Sequence, residues 1–271
     1  MKAAPPFPVG DIFYLVLLQG TVGAFWLYAL VPVRSVGSGF FLTTTRPFWL
    51  ALLVGLLAHG GGRWETWPGI FESLAAGAFF LALTLYLAGV WLGRPAWEYG
   101  GWLGGSLMGL VALGAAARFF LGPSPSGLLL WGVLQSFFSA LVLGGVTLSM
   151  LLGHWYLVVP KLSVEPFRRL VRVLLGSLEG LALVVALGLL WASGSEVASR
   201  VEVLTDTYLI PWSGRILFGW VGTFVLSLMA KKTLEIPHTQ AATGLLYLAI
   251  LFALAGELWG RYLLLVTRLP L

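Results

Sequence analysis

Five side chains that can form hydrogen bonds and exchange protons occur toward one end of the apolar segments of the sequence. They are His154, Tyr156, Lys161, Glu179 and His238. Imidazole, phenol, ammonium and carboxyl groups can hold a polar ring and pass protons to it. Because a count of the apolar segments places all five toward one side of a membrane, we interpret them as candidates for a quinone or proton site. The alternative is a set of interfacial side chains with no such task.

Glu179 lies in a segment that is otherwise apolar. It follows Arg172 by seven residues, or about 10 Å along a helix. Because ionisable groups are costly inside a bilayer, we expect Glu179 to be buried in a helix bundle. It would then accept protons beside a quinone or ion path, or pair with His154 or a loop arginine to fix helix packing.

Glu257 and Arg261 are four residues apart, so they share one face of a helix and are predicted to form an intramembrane ion pair. Pairing lowers the cost of burying either charge. We interpret this pair as a structural clamp rather than a ligand site, because the two charges neutralise each other.

The sequence does not favour haem or a metal. His59 lies on the side opposite to His154 and His238, and His238 lies in a connecting segment, although His154 and His238 could share a haem. The chain has no cysteine, which removes thiolate-bound zinc and cysteine-held iron–sulfur clusters. We therefore predict no metal and no covalently bound cofactor, and quinone is the ligand that these residue types favour.

The composition is that of a membrane protein. Of the 271 residues 59% are hydrophobic and only 10% are charged, whereas a soluble domain is about one quarter charged. Because helices satisfy their own backbone hydrogen bonds in lipid, we predict an all-α, polytopic transmembrane helix bundle that forms one domain, 1–271. Its basic residues are scattered through short connections, so we expect the lipid bilayer as a partner and no nucleic acid.

The apolar segments predict about eight membrane spans of roughly 20 residues each. Their predicted bounds are 11–33, 47–60, 69–92, 101–121, 127–153, 170–193, 211–230 and 242–266. The second is short, and its extension back to Phe40 would bury Arg46. The alternative is seven spans and a re-entrant segment.

The distribution of Lys and Arg predicts the orientation. Eight spans put both termini on one side, and the other side collects nine basic residues against seven. The positive-inside rule then places both termini outside and the connection from Lys161 to Arg172 in the cytoplasm. The segments 162–172 and 195–210 both have amphipathic spacing, which indicates interfacial helices or docking surfaces for a partner protein.

Two segments resemble known families. Gly153-His154-Trp155-Tyr156-Leu157, followed by Pro160, resembles a segment of a group of uncharacterised multi-span bacterial membrane proteins. The run 255–264, with Glu257 and Arg261, resembles the last helix of the quinone-binding membrane anchors of dimethyl-sulfoxide-reductase and polysulfide-reductase type complexes. In size and hydropathy the chain is also similar to the accessory polytopic subunits of some bacterial cytochrome bc complexes. These resemblances imply a multi-pass protein of the bacterial inner (cytoplasmic) membrane.

The leading hypothesis is a structural or quinone-binding membrane subunit of a respiratory electron-transfer complex, without its own redox centre and in contact with other subunits. The first alternative is a stand-alone transporter of a small solute or lipid, and the second is a b-haem membrane protein. Because the chain has no Walker motif, His-Glu-x-x-His or Gly-x-Ser-x-Gly, a non-catalytic subunit is favoured over an enzyme.

Overall fold

A computed structural model describes residues 9–59, 63–159, 162–236 and 238–271, except for the side chain of residue 63. Within these ranges the chain is almost entirely helical, and eight helices are long and apolar enough to cross a membrane. We number them span 1 to span 8. Their bounds are Val9–Leu30, Ser38–Ala58, Trp67–Leu92, Pro95–Leu121, Ser126–Val158, Glu165–Ser193, Leu209–Glu235 and Thr239–Thr267. The predicted all-α polytopic bundle is confirmed.

Span 2 is a full-length helix and not the short segment predicted from 47–60. It begins at Ser38, ends at Ala58 and contains Pro47. The extension does not bury Arg46, because this side chain lies on the exposed face of the helix. The alternative of seven spans with a re-entrant segment is therefore wrong.

Successive spans run in opposite directions, which gives the bundle two ends. Face A is the end where span 1 begins, span 2 ends and span 3 begins, and face B is the opposite end. Spans 2 and 6 both run from face B to face A. Which face lies outside the membrane stays a prediction.

The connection before span 7 contains the predicted amphipathic helix, at Ala198–Asp206. Val197 and Leu204 are buried, whereas Glu202 and Asp206 are exposed, as helical spacing predicts. The segment 162–172 differs from its prediction. Span 6 already begins at Glu165, so most of this segment forms the first turns of a membrane helix.

Spans 1 and 5 form the centre of the bundle, where their backbones touch. A Cβ atom on Gly23 would lie 1.7 Å from the carbonyl oxygen of Ala140, and one on Gly144 would lie 2.1 Å from the backbone nitrogen of Ala24. Small residues allow such approach between membrane helices, where dispersion contacts drive association. These two glycines therefore set the distance between the central helices.

Gly23→Ala is expected to destabilise the protein, because its methyl group would overlap backbone that cannot rotate away. We expect a loss of about 1–3 kcal/mol, measured as the free energy of unfolding in detergent micelles. Gly20→Ala in the same helix is the control, since its Cβ would make only an ordinary 3.8 Å contact with Leu143. Equal effects of the two variants would contradict this account of the packing.

Candidate functional site

Three ionisable side chains at face A are linked in series by hydrogen bonds. The Nδ1 atom of His59 is 2.7 Å from Asp11 Oδ1, and its Nε2 atom is 3.2 Å from Glu72 Oε2. The side chains of His59 and Glu72 are 2% and 0% exposed, whereas that of Asp11 is 25% exposed. The imidazole therefore connects a carboxylate that reaches the surface with one that is fully enclosed.

Aromatic rings enclose the imidazole. The ring of Tyr14 stacks on His59 with centroids 4.2 Å apart and planes 2° from parallel, and its hydroxyl donates to Glu72 Oε1. The rings of Phe119 and Phe120 pack against His59 from span 4, at 6.0 and 5.7 Å. The carboxylate of Glu72 is thus hydrogen-bonded on both oxygens inside an apolar shell.

Three different helix ends place these groups together. Asp11 lies in the first turn of span 1, His59 directly follows span 2, and Glu72 lies in the second turn of span 3. Gly10 allows this convergence, because a Cβ atom there would lie 2.0 Å from the carbonyl oxygen of Ala58. A carboxylate in the first turn of a helix also interacts favourably with the helix dipole.

The two carboxylates determine the protonation of His59. Burial is the largest influence and opposes the charged imidazole, but the hydrogen bonds and negative charges of Asp11 and Glu72 together outweigh it and raise the pKa of His59 above its ordinary value of 6.5. A protonated His59 leaves one net negative charge on the three groups.

The raised pKa of His59 makes part of the stability depend on pH. A pKa that is higher in the folded state contributes stability fully below the unfolded value of 6.5, and the contribution disappears as pH rises through the folded pKa. We expect the melting temperature of the wild type to exceed that of His59→Gln most at about pH 6 and progressively less at higher pH. Calorimetry of both proteins across this range measures the difference. In an Asp11→Asn background the change with pH should be smaller, and a difference that grows with pH would contradict the assignment.

A second buried cluster joins spans 5, 7 and 8. Arg215 Nη1 donates to Glu257 Oε1 at 2.6 Å, and Arg261 Nη2 donates to Glu257 Oε2 at 3.2 Å. Arg261 Nη2 also lies 3.4 Å from Ser139 Oγ, which accepts a hydrogen bond from Gln135 at the same distance. The predicted pair of Glu257 and Arg261 is therefore confirmed, but two arginines share its carboxylate.

The backbone of span 7 widens where it carries Arg215. Residues Arg215–Gly222 form a π-helix, a distortion that is often found at functional sites. Gly219 and Gly256 are in direct contact, because a Cβ atom on Gly256 would lie 2.0 Å from the Cα atom of Gly219. This approach brings the Arg215 guanidinium over Gly260, where a Cβ atom would be 2.9 Å from Arg215 Nε.

Glu257→Gln is expected to be the most damaging change in this cluster, because it leaves two buried guanidinium groups without an anion. Breaking a buried ion pair in this way costs about 3–5 kcal/mol. Arg215→Met should cost less, because Glu257 and Arg261 still neutralise each other. Denaturant titration in micelles measures both losses, with Glu202→Gln on the surface as the control. A larger loss for Arg215→Met would contradict the shared-carboxylate arrangement.

The histidines and the tyrosine predicted to line a site each make contacts of their own. His154 is exposed in the last turns of span 5, where its Nδ1 atom lies 3.2 Å from the hydroxyl of Tyr247. Tyr156 is buried and donates to the backbone oxygen of Ser163. His238 is exposed and directly precedes span 8. Haem binding by His154 and His238 stays an unfavoured alternative that the structure does not test.

Glu179 is exposed on the outer surface of span 6, which corrects the expectation that the bundle buries it. Among the described residues no hydrogen bond or ion pair connects Glu179, His154, Tyr156 and His238 with one another. Lys161 lies outside the described residues. A site that combines all five side chains stays a prediction.

A large cavity opens on the membrane-facing surface near face A. It has a volume of about 600 Å³, and its apolar lining includes Phe13, Pro211, Trp259 and Tyr262. Among the described residues, no group of three His, Asp or Glu side chains is arranged to hold a metal ion. Both nitrogens of His59 face carboxylates, so this imidazole can exchange protons with either of them.

Fold and sites define a polytopic all-α membrane protein with two buried charged clusters. Searches of protein-family models, curated proteins and solved structures find nothing that matches the chain.

Proposed function

We propose that the chain is a membrane subunit of a respiratory electron-transfer complex, and that it exchanges protons with a quinone near face A while a partner subunit carries the electrons. The observation that carries this proposal is the hydrogen-bonded chain from Asp11 through His59 to Glu72. It joins a side chain that is 25% exposed to one that is 0% exposed. A quinone releases or takes up protons when it changes redox state, so its partner protein needs such a route.

The three groups suit proton transfer over a short distance. His59 can accept a proton on one nitrogen and release one from the other. A proton on Glu72 can therefore pass to Nε2 of a neutral His59 while the proton on Nδ1 passes to Asp11, without any charge entering lipid. Tyr14 donates a hydrogen bond to Glu72 and stacks on His59, so it fixes the positions of both side chains.

The cavity near face A supports a quinone as the ligand. Its volume of about 600 Å³ lies within the range typical of small-molecule sites, about 300–1,000 Å³. Phe13, Trp259 and Tyr262 would hold the ring and its apolar tail, since they offer aromatic faces and open toward lipid. Phe13 belongs to the same helical turn as Asp11, although the two residues lie on different sides of span 1.

A proton-coupled transporter is the second candidate, and the π-helix in span 7 favours it. Irregular backbone that carries a buried charge is a feature of transporter binding sites, and Arg215 is 0% exposed in such a segment. Proton-driven uptake by proteoliposomes of the purified chain, lost in Glu72→Gln, would support this candidate.

Glu72→Gln is expected to lower quinol-dependent electron transfer by the complete complex about 100-fold, because a positioned proton acceptor contributes rate on this scale. The complex is first purified gently from its native membrane, and turnover is measured with a short-chain quinol analogue. Glu65→Gln is the matched control, since Glu65 is exposed near the same face.

Two results would contradict the proposal. One is isolation of the chain as a monomer with neither a redox partner nor a bound quinone. The other is turnover in Glu72→Gln equal to that of Glu65→Gln.

A further inference from the structure

Two unpaired charges of opposite sign lie on the outer surface of the membrane helices. Glu179 is exposed on span 6 and Arg46 is exposed on span 2. Within the ranges that the structure describes, neither side chain forms a hydrogen bond or an ion pair. Charged groups inside a membrane normally face a partner, a cavity or the bundle interior, so both positions need an explanation.

The two charges lie at similar depths from face A. Arg46 is 12 residues before Ala58, where span 2 ends, or about 18 Å along the helix. Glu179 is 14 residues before Ser193, where span 6 ends, or about 21 Å along the helix. Because both spans run from face B to face A, their side chains also lean in the same direction.

The surfaces around the two charges have different shapes. Around Glu179 the outer stripe of span 6 has little bulk at Gly176, where a Cβ atom would meet nothing within 4 Å, and it projects Leu183. Around Arg46 a groove of about 440 Å³ runs between spans 2 and 3, lined by side chains such as Trp49 and Leu87. The groove that carries the guanidinium can therefore receive a projecting side chain such as Leu183, which lies one helical turn from the carboxylate.

We propose that copies of this chain associate side by side in the membrane, with Glu179 of one copy paired to Arg46 of the next. The contact uses two different surfaces, so repetition gives a ring if the rotation closes and a row if it does not. A symmetric pairing of span 6 with itself would oppose two carboxylates and leave Arg46 uncovered. This inference does not depend on proton or quinone chemistry, and its test is independent of electron-transfer activity.

Cysteine cross-linking tests the interface directly, because the chain has no cysteine of its own. Leu183 and Leu50 are 60% and 55% exposed, and each lies four residues after its charged residue. Full-length Leu183→Cys and Leu50→Cys proteins are mixed in phosphatidylcholine liposomes and oxidised. We expect a disulfide-linked dimer from the mixture and little from either protein alone. The mixture of Leu183→Cys with Leu217→Cys is the matched control, because Leu217 is 58% exposed on span 7, which does not line the groove.

The second measurement uses variants in which the charges of Glu179 and Arg46 are removed or exchanged. Association is measured by energy transfer between labelled copies in the same liposomes. We expect Glu179→Gln and Arg46→Gln each to weaken association about tenfold. Glu179→Arg should abolish association, and Glu179→Arg combined with Arg46→Glu should restore it. Restoration also shows that the variants fold.

Three outcomes would overturn the proposal. They are a monomeric wild type, cross-linking of Leu183→Cys with itself in preference to Leu50→Cys, and a double variant that stays dissociated.

Discussion

The cost of an uncompensated charge in a medium without water governs the arrangement of this protein. In both buried clusters, two charged groups share one central group of opposite charge, which lowers this cost. His59 lies between two carboxylates, and Glu257 lies between two guanidinium groups. The clusters leave net charges of opposite sign, since the first keeps one negative charge when His59 is protonated and the second has one more cation than anion. An imidazole between carboxylates can change its protonation state at moderate cost, whereas guanidinium groups stay charged. The first cluster therefore suits the proton exchange that we propose, and the second suits a permanent electrostatic clamp.

Glycine contacts make both arrangements sterically accessible. Gly10 lets span 1 approach the end of span 2 beneath His59, and Gly219 lies against Gly256 beside Arg215. Helix association in lipid lacks the hydrophobic driving force that operates in water, so it depends on close packing and on polar contacts. The same glycines therefore determine the stability of the bundle and the positions of its charges.

The sequence predicts the features of this fold that depend on local spacing. Apolar length predicted the eight helices, and the four-residue spacing predicted the pair of Glu257 and Arg261. The Asp11, His59 and Glu72 cluster was missed because each residue lies at a helix end, where a charge in water costs little and needs no partner. Their common location at face A was the available signal. The expected burial of Glu179 was wrong because a helix that is apolar on all sides gives no indication of which side faces lipid.

Infrared difference spectroscopy of the purified complex during quinol oxidation tests the central claim most directly. If Glu72 exchanges protons through His59, oxidation changes the carbonyl band of a protonated carboxyl group, and Glu72→Gln removes that change while Glu65→Gln retains it. A band change that persists in Glu72→Gln, or a wild-type spectrum without one, would contradict the claim.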